Sequence, residues 1–245
     1  MELSIIIPAY NEEENIEEVV RRIENALDFT YELVVVNDHS CDNTAGIVKR
    51  LAQEYKNIKL VENKFEKGFA NAMITGFLNA GGDFVLPLMG DLCDDLSTIP
   101  LMISKIKDGY DVICGSRYIS GGARLGGSRI KGFFSFFTGW SLFYLLGLPT
   151  HDIANAFKMY RKKVIDSIDI KARGFEISME MPLKAYYLGY KITEIPTVWR
   201  ERQKGKSSFK MLKLTPSYFR VYVWAVLMKL MRIKDAITFH RSSGL

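Results

Sequence analysis

The chain has 245 residues, 48% hydrophobic and 25% charged, which fits one large or two small globular domains and excludes a disordered or fibrous protein. Its three cysteines, Cys41, Cys93 and Cys114, form no CxxC pair, which argues against a disulfide framework and suits a reduced, cytoplasmic setting. The net charge of +5 is uneven: residues 200–245 hold eleven lysines and arginines against two acids, a local +9 that leaves −4 on residues 1–199. A basic end on an acidic body points to an anionic partner: a membrane surface, a phosphorylated substrate or nucleic acid.

In chain order, residues 4–8 (SIIIP) read as a buried strand. Asn11 then looks like a helix cap, with Glu12, Glu13 and Glu14 in the first turn and Ile16, Val19, Val20, Ile23 and Leu27 at helical spacing. Residues 32–36 (ELVVV) form a second strand, and Ile47, Val48, Leu51 and Tyr55 give a second helix its face. A strand is expected at 58–61, a helix at 68–79, a strand at 84–88, a helix at 96–106 and a strand at 111–114. Apolar strands separated by helices predict an α/β fold, Rossmann-like, with a mostly parallel sheet covered on both faces.

Such sheets bind ligands beyond the C-terminal ends of their strands. That rule selects Pro8 to Glu12, Asn37 to Ser40, Met89-Gly90-Asp91 and Gly115-Ser116-Arg117, which should share one edge. No G-x-G-x-x-G follows the first strand and no G-x-x-x-x-G-K occurs, so ordinary dinucleotide binding and P-loop chemistry are not expected. The apolar run at 84–88 ends in Asp91, Asp94 and Asp95. Carboxylates there can hold a hard cation against a phosphate, with Asp91 the principal ligand and Asp94 or Asp95 helping. The competing reading is a polar turn that caps the helix entering at Leu96.

The second half is different in character. Residues 115–128 are rich in glycine and serine and read as a mobile loop. Residues 133–148 (FFSFFTGWSLFYLLGL) carry no charge, yet 16 residues fall short of the about 20 a bilayer span needs. Residues 216–231 are also apolar and aromatic but include Arg220 and Lys229. Both stretches suit the membrane interface better than a span. The N-terminal MELSIIIPAYNEE lacks the pattern of a signal peptide.

Five segments in this order, SIIIPAYNEEENI (4–16), VVVNDHSCDNT (34–44), Gly90-Asp91, GSRY (115–118) and RERQKGKSSFK (200–210), resemble the family-2 glycosyltransferases. The branch they are most similar to is that of the dolichol- or polyprenyl-phosphate mannosyltransferases, over residues 3–214 or so. The resemblance implies a GT-A fold, a nucleotide-sugar donor (GDP-mannose or a UDP-sugar), Mg²⁺ or Mn²⁺, and inversion at the anomeric carbon. It further implies a polyprenyl phosphate acceptor and a peripheral place on the cytoplasmic face of the membrane. Where the family usually carries Asp-x-Asp, this chain has Met89-Gly90-Asp91, and where it carries Asp-Asp-Gly-Ser, Asn37-Asp38-His39-Ser40. The implied organisation is a catalytic domain over 1–214, with a nucleotide half to about 117 and an acceptor half from about 118. A basic aromatic interface segment follows over 215–245.

By the same resemblance, Pro8, Tyr10, Glu12, Asp38, Met89, Gly90 and Asp91 contact the donor and its metal. Tyr10 would pack on the base, with Glu12 and Asp38 accepting from ribose or base; otherwise Glu12 decorates a helix start and Asp38 makes a turn with Ser40. Arg117 would lie between donor and acceptor phosphates, where a guanidinium holds two oxygens in a fixed fork, or else form a surface ion pair. Arg129, Lys131 and Ser135 open the uncharged helix where a lipid phosphate would sit, and Asp152 falls where the family binds sugar. Arg202 and Lys206, with Lys204, form a basic loop able to fold over a diphosphate.

Direct displacement by a lipid phosphate needs no general base, because the nucleophile is already an anion. Were the acceptor a sugar hydroxyl of a glycan or lipid-linked acceptor, Asp94, Asp95 or Asp152 would be the candidate base. A non-catalytic nucleotide-sugar binder is the rival from another class, since Met89 removes one expected carboxylate. Nucleic acid is not expected as a partner, because the basic residues alternate with long aliphatic runs and no recognition module appears.

Overall fold

The computed structural model describes residues 2–91, 93–202 and 211–242, with side chains described only from 215 to 231 in the last of these. Nine strands and eight α-helices lie in these residues. The first half alternates β1 (Leu3–Ala9), α1 (Ile16–Ala26), β2 (Tyr31–Asn37), α2 (Thr44–Glu54), β3 (Ile58–Glu62), α3 (Phe69–Asn79) and β4 (Phe84–Pro87). A 3₁₀ turn at Leu96–Thr98 leads into α4 (Ile99–Lys107) and β5 (Val112–Ser116). Then come β6 (Ala123–Leu125), α5 (Arg129–Leu146), β7 (Lys158–Arg161), α6 (Lys162–Ser167), α7 (Ile177–Tyr187), β8 (Ile192–Pro196), β9 (Val198–Arg200) and α8 (Met211–Ser242).

Seven strands form the main sheet in the order β3-β2-β1-β4-β7-β5-β8. Every neighbouring pair is parallel except those made by β7, which runs antiparallel to both β4 and β5. Two reversals cancel, so β1, β2, β4 and β5 all point the same way and their C-terminal ends meet on one edge. The sheet is buried on both sides, as its apolar strands predict. Leu3, Ile5 and Ile7 face one core with Val19, Ile23, Leu51 and Met102 from α1, α2 and α4. Ile6, Val34 and Val36 face the other, with Met73, Phe77 and Ile177 from α3 and α7. Gly76 lets α3 approach this closely, since a Cβ there would fall 2.2 Å from Cγ2 of Ile6.

A third cluster joins α5, α7 and α8 through Leu142, Leu146, Leu183, Val221 and Ala225. The 214/215 division expected from the sequence thus falls inside the helix α8. Two local expectations are corrected. Asn11 is not the cap of α1: it takes a left-handed backbone (φ 51°), and the helix begins at Ile16 after Asn15. The carbonyl of Glu12 accepts from the amides of Asn15 and Ile16, so Glu12 to Glu14 form a turn ahead of the helix. Residues 115–128 are not simply loop, because β6 within them pairs with β9 in a separate two-stranded parallel sheet.

Candidate active site

The edge formed by the ends of β1, β2 and β4 carries the residues expected at the donor. Pro8, near the end of β1, and Tyr10, just beyond it, are half-buried. Glu12, also half-buried, is fixed at its backbone by an N–H donated to Oγ1 of Thr44, at 2.9 Å. Its carboxylate accepts from Nδ2 of Asn15 at 2.7 Å and from Nη2 of Arg202 at 3.0 and 3.2 Å. Burial, more than these partners can offset, pushes the Glu12 carboxyl upward, and the charge of Asp91 adds to it.

Asp38 is buried beyond β2, and its carboxylate accepts from Nδ2 of Asn63 at 2.7 Å and from the amide of Gly68 at 3.0 and 3.1 Å. It therefore ties the loop after β3 to the start of α3. That loop brings Lys67 over Tyr10, with its Nζ 3.4 Å from the ring centroid. Lys67 was not singled out by sequence, although the loop after β3 lies on the same edge and the same rule applies to it.

Met89, Gly90 and Asp91 leave β4 at the middle of this edge, Gly90 buried and the other two partly so. Oδ1 of Asp91 accepts from the amide of Cys93 at 3.3 Å, turning the chain back. Asp94 stands close behind, with Oδ2 accepting from the amide of Met89 at 3.4 Å. Burial first, and the like charge of Asp91 second, push the Asp94 carboxyl up to about 7. Two carboxyls that repel in this way suit a hard cation, which relieves the repulsion. Asp95 does something else: Oδ1 accepts from the amide of Ser97 at 3.1 Å and from its hydroxyl at 2.7 Å, capping the 3₁₀ turn. Among the described residues no three His, Cys, Asp or Glu side chains form a complete metal cage, so a cation held by Asp91 and Asp94 would complete its shell from phosphate and water. Cys93 is buried beside Asp91, and burial pushes its thiol up, so it stays neutral.

Three of the residues expected on the acceptor side, Arg117, Ser135 and Asp152, meet at the end of β5. Arg117 makes a bidentate ion pair with Asp152, Nε to Oδ2 at 2.6 Å and Nη2 to Oδ1 at 2.8 Å, and its amide also donates to Oδ2 at 3.0 Å. The same Nη2 donates to Oγ of Ser135 at 2.9 Å. The Asp152 side chain is fully buried and that of Arg117 is 10% exposed. Asp152 therefore faces the guanidinium, and it reaches any ligand only through Arg117. Nη1 of Arg117 makes no hydrogen bond among the described residues. Contact of this kind needs α5 to lie against the 148–152 loop, and Gly139 allows it: a Cβ there would fall 1.9 Å from the carbonyl oxygen of His151.

Ser128 caps α5, accepting from the amide of Lys131 at 3.4 Å, with Arg129 exposed and Lys131 half-buried in the first turn. Beyond them Phe133, Phe137, Trp140 and Tyr144 stack in sequence along the exposed face, with ring centroids 5.1 to 6.2 Å apart. The opposite face, Leu142 and Leu146, enters the core. Among the described residues no helix is long and apolar enough to cross a membrane.

The stretch after β9 links the parts of the site. The amide of Arg200 donates to the carbonyl of Cys93, that of Glu201 to the carbonyl of Leu125, and Oε2 of Glu201 accepts from the amide of Gly127. Arg202 then reaches Glu12. Lys204 and Lys206 lie outside the described residues.

Known proteins resemble this chain in sequence and in fold. The family model for glycosyl transferase family 2 matches residues 4–169. A dolichol-phosphate mannosyltransferase of Pyrococcus furiosus is 36% identical over 215 residues, covering 86% of this chain and 60% of that protein, so the chain spans less than two thirds of that relative's length. The polyprenol monophosphomannose synthase of Mycolicibacterium smegmatis is 26% identical, covering 95% of this chain and 90% of that one. Among solved structures, glucosyl-3-phosphoglycerate synthase from Mycobacterium tuberculosis, in complex with Mn²⁺, uridine diphosphate and glucosyl-3-phosphoglycerate, superposes with a TM-score of 0.69 at 17% identity, covering 93% of this chain and 79% of that one. At that identity the likeness speaks for the fold, and it agrees with the sheet and helix order described above. With more than half of its length matched by the family model, the chain belongs to glycosyl transferase family 2 and has the GT-A fold.

Proposed function

We propose that the chain transfers a hexose from a nucleoside diphosphate sugar, GDP-mannose or a UDP-sugar, to the phosphate of a polyprenyl lipid held at the membrane interface. The observation that carries this reading is the bond from Arg117 to Ser135. It joins a guanidinium at the end of β5 to a helix whose outward face is a ladder of exposed aromatic rings. A phosphate taken by the polar end would send its tail along that face, whereas a soluble sugar leaves the ladder without a purpose. The names of the two curated relatives, both polyprenol- or dolichol-phosphate mannose enzymes, support the same acceptor class.

Pro8, Tyr10 and Glu12 then line the nucleoside end, with Asp38 acting through the segment it anchors, and Met89 and Gly90 border the diphosphate. Arg202, now on Glu12, faces the diphosphate, and Lys206 is assigned to it from the sequence. Mg²⁺ or Mn²⁺ held by Asp91 and Asp94 would supply charge neutralisation there. Arg117, Arg129 and Lys131 hold the acceptor phosphate, and Asp152 keeps the Arg117 fork aimed. One phosphate oxygen forms the bond to the anomeric carbon while the bond from that carbon to the diphosphate breaks, with inversion. Because the attacking oxygen is already an anion, no residue has to take a proton. The exposed face of α5 rests on the membrane surface, at its cytoplasmic side in this reading, whereas Tyr218, Tyr222 and Trp224 of α8 pack against the core and only Phe219 among its described aromatic residues is exposed.

A radiolabelled-donor panel over polyprenyl phosphate, the matching polyprenol and free sugars tests this. Transfer to the phosphate and none to the alcohol is expected; preference for a sugar hydroxyl refutes the acceptor class.

A further inference from the structure

The loop between β3 and α3 is fixed on both sides of Lys67. Asp38 holds the amide of Gly68, while Nδ2 of Asn71 donates to the carbonyl of Glu66 at 2.7 Å. The residue between these anchors, Lys67, has an exposed side chain, and its ammonium lies on the face of Tyr10. A cation over an aromatic ring at an exposed site is held by only about 0.5–1 kcal/mol, so a ligand can displace it sideways at small cost. Tyr10 is the one aromatic residue in the segment that follows β1, where the nucleoside end of the site was placed. A base stacking on that ring takes the place the ammonium now holds, and the ammonium, still tethered beside the ring, meets the base's edge.

We propose that Lys67 determines donor specificity by donating to the nucleobase edge. An ammonium has three donors and no acceptor, so it pairs with a carbonyl and opposes an amino group. It therefore selects a base with a carbonyl at the edge remote from the sugar, as uracil and guanine have, over one with an amino group there, as cytosine and adenine have. This deepens the proposed function and rests on its placing of the nucleoside at Tyr10.

The test is calorimetric titration of the whole chain with UDP, CDP, GDP and ADP in the presence of Mn²⁺, for the wild type, Lys67→Ala and Lys67→Arg. Tighter wild-type binding of UDP than CDP, and of GDP than ADP, by about ten-fold is expected, the low end for a charge-assisted hydrogen bond from an exposed side chain. In Lys67→Ala both ratios should fall toward one through weaker UDP and GDP binding, and Lys67→Arg should keep most of them. Wild-type ratios near one, or ratios that survive in Lys67→Ala, overturn the inference while the nucleotide site stands. If the wild type binds none of the four, the proposed function and this inference fall together.

Discussion

The Arg117–Asp152 pair permits a test in which folding and function come apart. Asp152 has no exposed surface, and three of its hydrogen bonds come from Arg117. Replacing it by alanine leaves a guanidinium that is only 10% exposed with Ser135 as its remaining side-chain hydrogen-bond partner. Removing one member of a buried pair costs about 3–5 kcal/mol, because the other charge stays uncompensated. For a chain of this size each kcal/mol lowers the melting temperature by roughly 2–4 °C, so Asp152→Ala should melt on the order of 10 °C below the wild type. The double variant Arg117→Met, Asp152→Leu removes both charges and fills similar volume, so it should recover most of that loss. Thermal unfolding followed by circular dichroism measures all three. Turnover separates the roles: the stable double variant should bind nucleoside diphosphate yet transfer at least ten-fold more slowly, since one charge-assisted contact to a phosphate is worth about 1.5–3 kcal/mol. A melting temperature for Asp152→Ala within about 2 °C of wild type, roughly 1 kcal/mol, would refute the buried-pair reasoning.

Asp91→Ala should abolish metal-dependent nucleotide binding while Asp94→Ala weakens it; calorimetry with UDP or GDP and Mn²⁺ decides, and unchanged affinity in Asp91→Ala removes it as ligand. Without added cation, stability should fall as pH rises from about 4 to 7, because Asp94 keeps its proton to about 7 when folded but releases it near the ordinary 3.8 when unfolded, so the native state binds the extra proton in that window. Urea midpoints across that range should show this slope in the wild type and a flatter one in Asp94→Asn; identical slopes contradict it. Vesicles containing anionic lipid should float with the protein and release part of it at 1 M salt, where screening shortens electrostatic reach to about 3 Å. Phe137→Glu with Trp140→Glu should cut that binding more than ten-fold, and equal flotation of the variant would show that the aromatic face of α5 is not the contact.

The sheet edge was legible because it depends on local pattern. Short apolar runs, each followed by polar residues, mark a strand and its C-terminal end, and parallel strands put those ends together whatever their order. Ser4 to Pro8, Glu32 to Val36 and Asp91 could all be placed this way, and the buried residues Ile16, Val19, Val20 and Ile23 of α1 were visible as a 3.6-residue period. The register was not legible. Neither was β7, whose four residues enter antiparallel between β4 and β5, since a strand of that length reads the same in either direction. The start of α1 was misread because Asn11 is as good a cap by composition as Asn15. What separates them is a tertiary contact, the amide of Cys41 donating to Oδ1 of Asn11 at 2.8 Å, which holds Asn11 in its left-handed turn.

The acceptor side shows a second reason. Arg117, Ser135 and Asp152 were each picked by resemblance to a motif, but their joining spans 18 residues from Arg117 to Ser135 and 35 from Arg117 to Asp152. No period or spacing encodes such a contact. It forms because β5 and the loop before β7 both end beside α5, and because Gly139 lets the helix come close enough. Once the three meet, the chemistry of Arg117 is narrowed. Nε and Nη2 are committed, so the arginine that looked free to grip two phosphate oxygens with its whole fork has Nη1 left for a ligand. One nitrogen with two N–H donors, on a guanidinium locked by a buried carboxylate, is a fixed positive point. Its strength toward an incoming anion depends on Asp152 for aim, and a lysine at 117 would lose that aim because it has no planar fork to be held.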